Sequence, residues 1–137
     1  MAKQKRFIDN GNNTVTDTET GKTWVQDHCA LPVAAFAEPM NDVENIAAIK
    51  ELNRIKFAGH SDWRVGKRFE VESTLDLKRS NPAIDPIFRN TKSSWYRTST
   101  PVHGDSGYAW CVGFFFGSVY SYGKGYSYFV RPCRSSK

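Results

Sequence analysis

Cysteine is scarce in this chain: three residues in 137, Cys29, Cys111 and Cys133, with no Cys-x-x-Cys spacing. That is too few and too scattered for a disulfide framework or a thiolate metal site. The three histidines, His28, His60 and His103, never stand with two further ligands at metal spacing. No apolar run approaches the roughly 20 residues of a membrane span. Nor is there a block of like charge. The net charge of +5 comes from 19 basic and 14 acidic residues, with small clusters only at Lys3-Lys5-Arg6, Lys67-Arg68 and Arg131-Arg134-Lys137. A nucleic-acid binder gathers its charge on one face, so this distribution points away from nucleic acid as the partner. The basic start, MAKQKRFIDNG, has no apolar stretch behind it, so no signal peptide is visible. The expectation is a soluble chain, cytoplasmic or carried in a virion or larger surface assembly.

Acid is missing from the last third as well. After Asp105 there is no Asp or Glu, and Ser94 to Arg134 is instead dense in Tyr, Phe, Trp, Ser and Gly. Such a run is a poor helix, because Gly, β-branched and aromatic residues lose too much there. With turn signals recurring along it, it predicts a set of antiparallel strands. Side chains alternate across a strand. Trp110, Val112 and Phe114 therefore share one face, fit for a core, and Cys111, Gly113 and Phe115 share the other. Tyr120, Tyr122, Tyr126 and Tyr128 follow around the Gly117-Ser118 and Gly123-Lys124-Gly125 turns. Tyr, Ser and Gly are the composition of paratopes, where rigid rings give contact area at low entropic cost. We expect Phe115, Phe116 and at least two of the tyrosines to be exposed.

Earlier in the chain, residues 6–26 predict a meander. Its apolar pieces Phe7-Ile8, Thr14-Val15 and Thr23-Trp24-Val25 are separated by strong turn chemistry, Asp-Asn-Gly-Asn-Asn and Glu-Thr-Gly. A loop with Pro32 and Pro39 follows. Asn41 then offers an N-cap with Glu44 three residues on, a capping-box start. From Asp42 to Ile55 the residues Val43, Ile46, Ala47, Ile49, Leu52 and Ile55 recur at helical spacing. Gly59 closes the connection after this helix. A short extended piece around Trp63-Arg64-Val65 leads to a second helix from about Lys67 to Leu77, and a loop with Pro82 and Pro86 precedes the aromatic strands. With no repeat or linker to divide it, the chain predicts one α+β domain over residues 1–137, strands at both ends and two helices between.

Several of these stretches, in order, resemble the Lcl C-terminal domain family, named after a bacterial collagen-like adhesin. They are FIDNGNNTVTDTETGKTW (7–24), ELNRIKFAGHSDWRV (51–65), RFEVESTLD (68–76), NPAIDPIFRNT (81–91), TSTP (98–101) and the ending AWCVGFFFGSVY…YFVRPCR. The resemblance implies a C-type-lectin-like fold, with two helices flanking antiparallel strands and the N- and C-terminal strands paired. It also implies a surface binding module. Some C-type-lectin-like relatives are the variable receptors of diversity-generating retroelements, hypermutated at asparagine-type codons between fixed core residues. Phe, Tyr, Ser, Gly and Cys, all reachable from such codons, crowd the end of this chain. The chain departs from the family pattern at Val65-Gly66, where Leu-Pro is usual, and at Tyr96-Arg97, where Tyr-Trp is common. It departs again at Cys133, which follows Pro132 rather than Arg131.

Chemistry finds little footing. Lectins of this fold often hold sugar through calcium, but Glu38-Pro39-Met40-Asn41-Asp42 precedes the first helix, and the aromatic third offers only Asp105. The His60-Ser61-Asp62 string is expected to be structural, with Asp62 capping a turn and Trp63 in the core. Cys111 and Cys133 invite comparison with formylglycine-generating enzymes of the same broad fold, and Arg131 and Arg134 flank Cys133. An activated thiol needs a depressed pKa, however. The tyrosines interleaved with Lys124 could stack bases, but a phosphate-tracking groove needs more charge than that. The expected function is therefore a binding module, not an enzyme, with no cofactor and no metal. Its surface lies within residues 95–130 and is expected to be hypervariable. It presents Arg97, Cys111, Gly113, Phe115, Phe116, Tyr120, Tyr122 and Tyr126 to a macromolecular partner, a protein rather than nucleic acid. The alternatives are a small formylglycine-generating-type enzyme and a nucleic-acid-binding domain.

Overall fold

In a computed structural model that describes residues 5–135, the N-terminal meander forms β1 (Phe7–Asp9), β2 (Thr14–Asp17) and β3 (Lys22–Val25). Its first turn is built by side-chain acceptors: Asp9 Oδ1 takes the Gly11 N–H at 2.9 Å, and Asn10 donates to the hydroxyls of Thr14 and Thr16. β3 then pairs antiparallel with β8 (Pro132–Ser135), setting Trp24 opposite Cys133. β8 in turn pairs with β4 (Arg64–Val65), giving the order β1-β2-β3-β8-β4. The two ends of the chain thus share one sheet. A second sheet is formed by β5 (Trp95–Val102), β6 (Asp105–Gly113) and β7 (Ser118–Gly123), in that order and antiparallel.

Neighbouring residues of β3 point to opposite faces, and here both faces are buried. Trp24 joins a core with Val15, Val71, Ile84, Phe88, Tyr96, Val112, Phe114 and Cys133. Val25 joins another with Leu31, Phe36, Met40, Ala48, Leu52, Trp63 and Val130. The five-stranded sheet therefore separates a core shared with the three-stranded sheet from one shared with α1.

Helix α1 (Asp42–Arg54) starts as its capping box predicts. Asn41 Oδ1 accepts the Glu44 N–H at 2.9 Å, and Glu44 Oε1 accepts the Asn41 N–H at 2.9 Å. Its inner face keeps Leu52 from the apolar spacing but differs from that spacing elsewhere. Asn45, Ala48 and Leu52 are buried, while Val43 and Ile46 are exposed. Asn45 can be inside because its amide donates to the Asp42 carbonyl at 3.0 Å, so no donor is left stranded.

The second helix is also shorter than expected. α2 runs only from Arg68 to Glu72. Beyond it, Ser73 Oγ and Thr74 Oγ1 donate to the carbonyls of Glu70 and Val71 at 2.6 Å each, hydroxyl competition that favours leaving the helix. Leu75 then bridges to Ile84, and the Asp76 N–H reaches the Ala83 carbonyl. Phe69 and Leu77, both within the span expected to be helical, are exposed. Within α2, the buried Glu70 carboxylate accepts from Arg64 Nη1 and Nη2, at 2.7 and 2.9 Å, and from the Lys67 N–H at 2.8 Å. Lys22 Nζ lies 3.3 Å away. These donors, Arg64 foremost, hold the Glu70 carboxyl down at about 2.

Candidate functional site

The three-stranded sheet has one face in the core and one turned away from it. Register places Tyr96, Val112 and Val119 in a row on the inner side, all three within or against the first core. Phe114, just beyond the end of β6, is buried in the same core. The alternate rows, Trp95–Gly113–Ser118, Arg97–Cys111–Tyr120 and Ala109–Tyr122, lie on the outer side. The alternation read from the sequence therefore holds for Val112 and Phe114. Trp110 is the correction: it is half-buried rather than core, with the Arg68 guanidinium 4.6 Å from its ring centroid.

Trp95 is the hub of the ring cluster on the outer face. Its ring centroid lies 5.7 Å from that of Phe115, 5.4 Å from Tyr120 and 5.2 Å from Tyr122. Tyr122 continues the cluster to Tyr128 at 5.7 Å. Gly113 is what lets Trp95 lie down on the sheet, for a Cβ at that position would sit 2.8 Å from the indole ring. Trp95 was not among the expected contact residues. Its parity with Arg97 and Cys111 was the available signal.

The eight expected contact residues divide by burial. Phe116, Tyr120 and Tyr126 are well exposed, at 70%, 57% and 70%. Phe115 and Tyr122 are half-buried, and Phe115 had been expected to be exposed. Arg97, Cys111 and Gly113 are buried, so they support the face rather than offer atoms to a partner.

Arg97 has a definite structural task. Its Nη2 donates to the carbonyls of Lys124 and Tyr126, both at 3.1 Å, and Nη1 lies 3.4 Å from Asp42 Oδ1. The guanidinium sits 5.1 Å from the Tyr128 ring centroid. The Asp42 N–H also reaches the Lys124 carbonyl, and Met40 and Tyr128 exchange backbone hydrogen bonds. The residue that replaces a common aromatic thus ties the 124–128 loop to the start of α1. The fork geometry of guanidinium is suited to several acceptors at once.

The other residues singled out in the sequence are placed as follows. Asp62 pairs with Arg134 at 2.6 Å rather than capping a turn, and Trp63 is buried as expected. Cys111 and Cys133 are buried free thiols, which burial pushes up to about 11 and about 12. Both are protonated at neutral pH, the opposite of an activated nucleophile. Among the described residues no group of three or more His, Cys, Asp or Glu could hold a metal ion, and no helix is long and apolar enough to cross a membrane. A groove of about 850 Å³ lies between β1 and residues 74–78.

His28, weighed in the sequence only as a ligand beside Cys29, is wholly buried. Nδ1 lies 2.7 Å from the Phe36 carbonyl, which can only accept, so Nδ1 carries the proton. Nε2, 2.7 Å from the Tyr96 hydroxyl, then accepts from it, and the Tyr96 oxygen accepts the Lys92 N–H at 2.8 Å. Burial, followed by the nearby Arg131 charge, pushes the imidazole down to about 4. It is a neutral core strut.

These features define a small α+β domain, built mainly of antiparallel strands, with an aromatic outer face on its second sheet. The chain belongs to the Lcl C-terminal domain family, whose model matches residues 13–134. No curated protein matches it.

Proposed function

We propose that the chain is a ligand-binding module that meets a macromolecular partner, a protein, with the outer face of β5-β6-β7 and the adjoining loop. The observation that carries this reading is the cluster of Trp95, Phe115, Tyr120 and Tyr122 on the side of the sheet away from the core, bordered by the exposed Phe116 and Tyr126. Contiguous exposed rings mark interaction surfaces, and Trp and Tyr are the usual anchors of such surfaces. The Asp42 carboxylate at the border of this face is paired with the Arg97 guanidinium. Lys124 stands beside the face.

The finer reading is a C-type-lectin-like fold whose contact face is diversified by a retroelement. Two things support it: the pairing of the N-terminal β3 with the C-terminal β8, and the division of the last third into buried inner and outward-facing positions. In such a receptor the exposed rings are replaceable while Val112 and Phe114 are not. The test is the double variant Tyr120→Ala, Tyr126→Ala. The expected result is lost capture of the partner with stability changed by no more than about 0.5 kcal/mol per site. Equal capture by the variant would move the site elsewhere. Sequencing the gene across a population tests diversification separately: variation at Phe115, Phe116, Tyr120 and Tyr122 above that at Val112 and Phe114 is expected, and equal constancy would reject it.

A further inference from the structure

The free edge of β7 is unusually open to pairing. β6 and β7 run in one unbroken register, from Tyr108 opposite Gly123 to Gly113 opposite Ser118. The Lys124 N–H donates to the Gly107 carbonyl at 2.9 Å, which marks that pair as hydrogen-bonded. Antiparallel pairs alternate, so Ala109–Tyr122, Cys111–Tyr120 and Gly113–Ser118 are the bonded ones. The backbone groups of Val119, Ser121 and Gly123 consequently point away from β6. The Gly123 carbonyl is taken by the Tyr126 N–H and the Tyr128 hydroxyl. The N–H and C=O of Val119 and Ser121 have no partner among the described residues.

Proteins blunt such edges with charge, proline or a bulge. The strand Ser-Val-Tyr-Ser-Tyr-Gly has none of these, although the chain as a whole carries +5. We propose that β7 pairs antiparallel with β7 of a second copy, about a twofold axis through Tyr120. A second copy is the occupant because the two outward residues, Val119 and Ser121, are self-complementary about a twofold axis, and the strand carries no charge to repel its own copy.

One register satisfies the most groups. With Val119 opposite Ser121 of the second copy, and the reverse, both pairs of outward groups are used and four hydrogen bonds form. An axis at Val119 or at Ser121 would leave one of them unpaired or set it against the occupied Gly123. The chosen register puts Tyr120 opposite its own copy as a non-bonded pair, the closer of the two kinds, where aromatic side chains meet. The two three-stranded sheets become one of six, and the aromatic faces merge into a single surface. An interface of this size is at the small, weak end for proteins.

The experiment is sedimentation velocity of the full chain over about a hundredfold range of micromolar concentration, where small interfaces associate. The expected result is a mass rising from 15.5 kDa towards twice that value, with amide exchange at Val119 and Ser121 slowing in step. Ser121→Pro removes an outward N–H without touching the β6 ladder, and its side chain lies off the aromatic face. It should hold the mass at 15.5 kDa throughout. Tyr120→Lys, which would set two ammonium groups face to face, should do the same if Ser121→Pro folds poorly. A wild-type chain that stays monomeric, an edge that protects only with a foreign peptide, or a dimer whose Val119 and Ser121 amides exchange unchanged would each overturn the proposal. Loss of partner capture in the Tyr120→Ala, Tyr126→Ala variant is a separate outcome, since Ser121→Pro leaves those rings in place.

Discussion

Acid should loosen this fold well above the carboxylate range, through His28. In the folded chain the imidazole titrates at about 4, and its ordinary value is 6.5. A base that is harder to protonate when folded means the unfolded chain binds more protons, so stability falls as pH falls. The contribution is fully present above pH 6.5 and drains away between there and 4. Linkage puts the loss at about 1 kcal/mol by pH 5.5 and about 3 kcal/mol by pH 4, set against roughly 5–15 kcal/mol for a typical domain. Urea unfolding at a series of pH values, for the wild type and for His28→Asn, isolates the effect. The asparagine amide can still serve the Phe36 carbonyl but leaves the Tyr96 hydroxyl without its acceptor. That variant should be weaker at pH 7.5 by about 1–3 kcal/mol and nearly flat down to pH 4.5. A wild type equally flat over that range, or an imidazole seen by NMR to titrate near 6.5 in the folded chain, would refute the buried neutral assignment.

Three further outcomes are expected. Glu70→Gln should lower stability by about 1–3 kcal/mol, because Arg64 loses the carboxylate that satisfies it. Since the Glu70 carboxyl is held at about 2 against an ordinary 4.5, its contribution is present above pH 4.5 and lost as pH falls towards 2. The acid limb of the variant should be shallower there, as read by denaturant midpoints. Gly113→Val forces Trp95 off the sheet and should shift its fluorescence while costing about 1–3 kcal/mol by overpacking. An unchanged spectrum would mean the indole does not lie over that glycine. Finally, a thiol reagent should find Cys29 in the native chain and Cys111 and Cys133 only after unfolding, with reaction of either buried thiol at the rate of free cysteine telling against the burial found here.

Much of the architecture was legible because its signals are short-range. The Asn41–Glu44 box, the Asx turn at Asp9 to Gly11 and the alternation that buries Val112 and Phe114 each depend on residues a few positions apart. Backbone geometry there leaves little to the rest of the chain. The end of α2 was the local feature misread: hydroxyls of Ser73 and Thr74 drew the chain out of the helix where apolar spacing alone would have continued it.

What the chain could not reveal locally was which of two plausible faces turns inward. Spacing on α1 nominated Val43 and Ile46 along with Leu52, yet the core closed on Leu52 together with Ala48 and Asn45, because Val25, Phe36 and Trp63 arrive from distant strands and loops. The same holds for the outer aromatic face. Its composition was plain in the sequence, but Trp95 became its centre only because β6 lays Gly113 beside it. Arg97 likewise went inside only because the carbonyls of Lys124 and Tyr126 and the carboxylate of Asp42 converge on it. The sequence by itself determined the elements, the turns and the aromatic stock of the last third. Tertiary structure decided burial and therefore which of those rings are exposed, because the free energy of burying a polar or aromatic group depends on partners supplied from far along the chain.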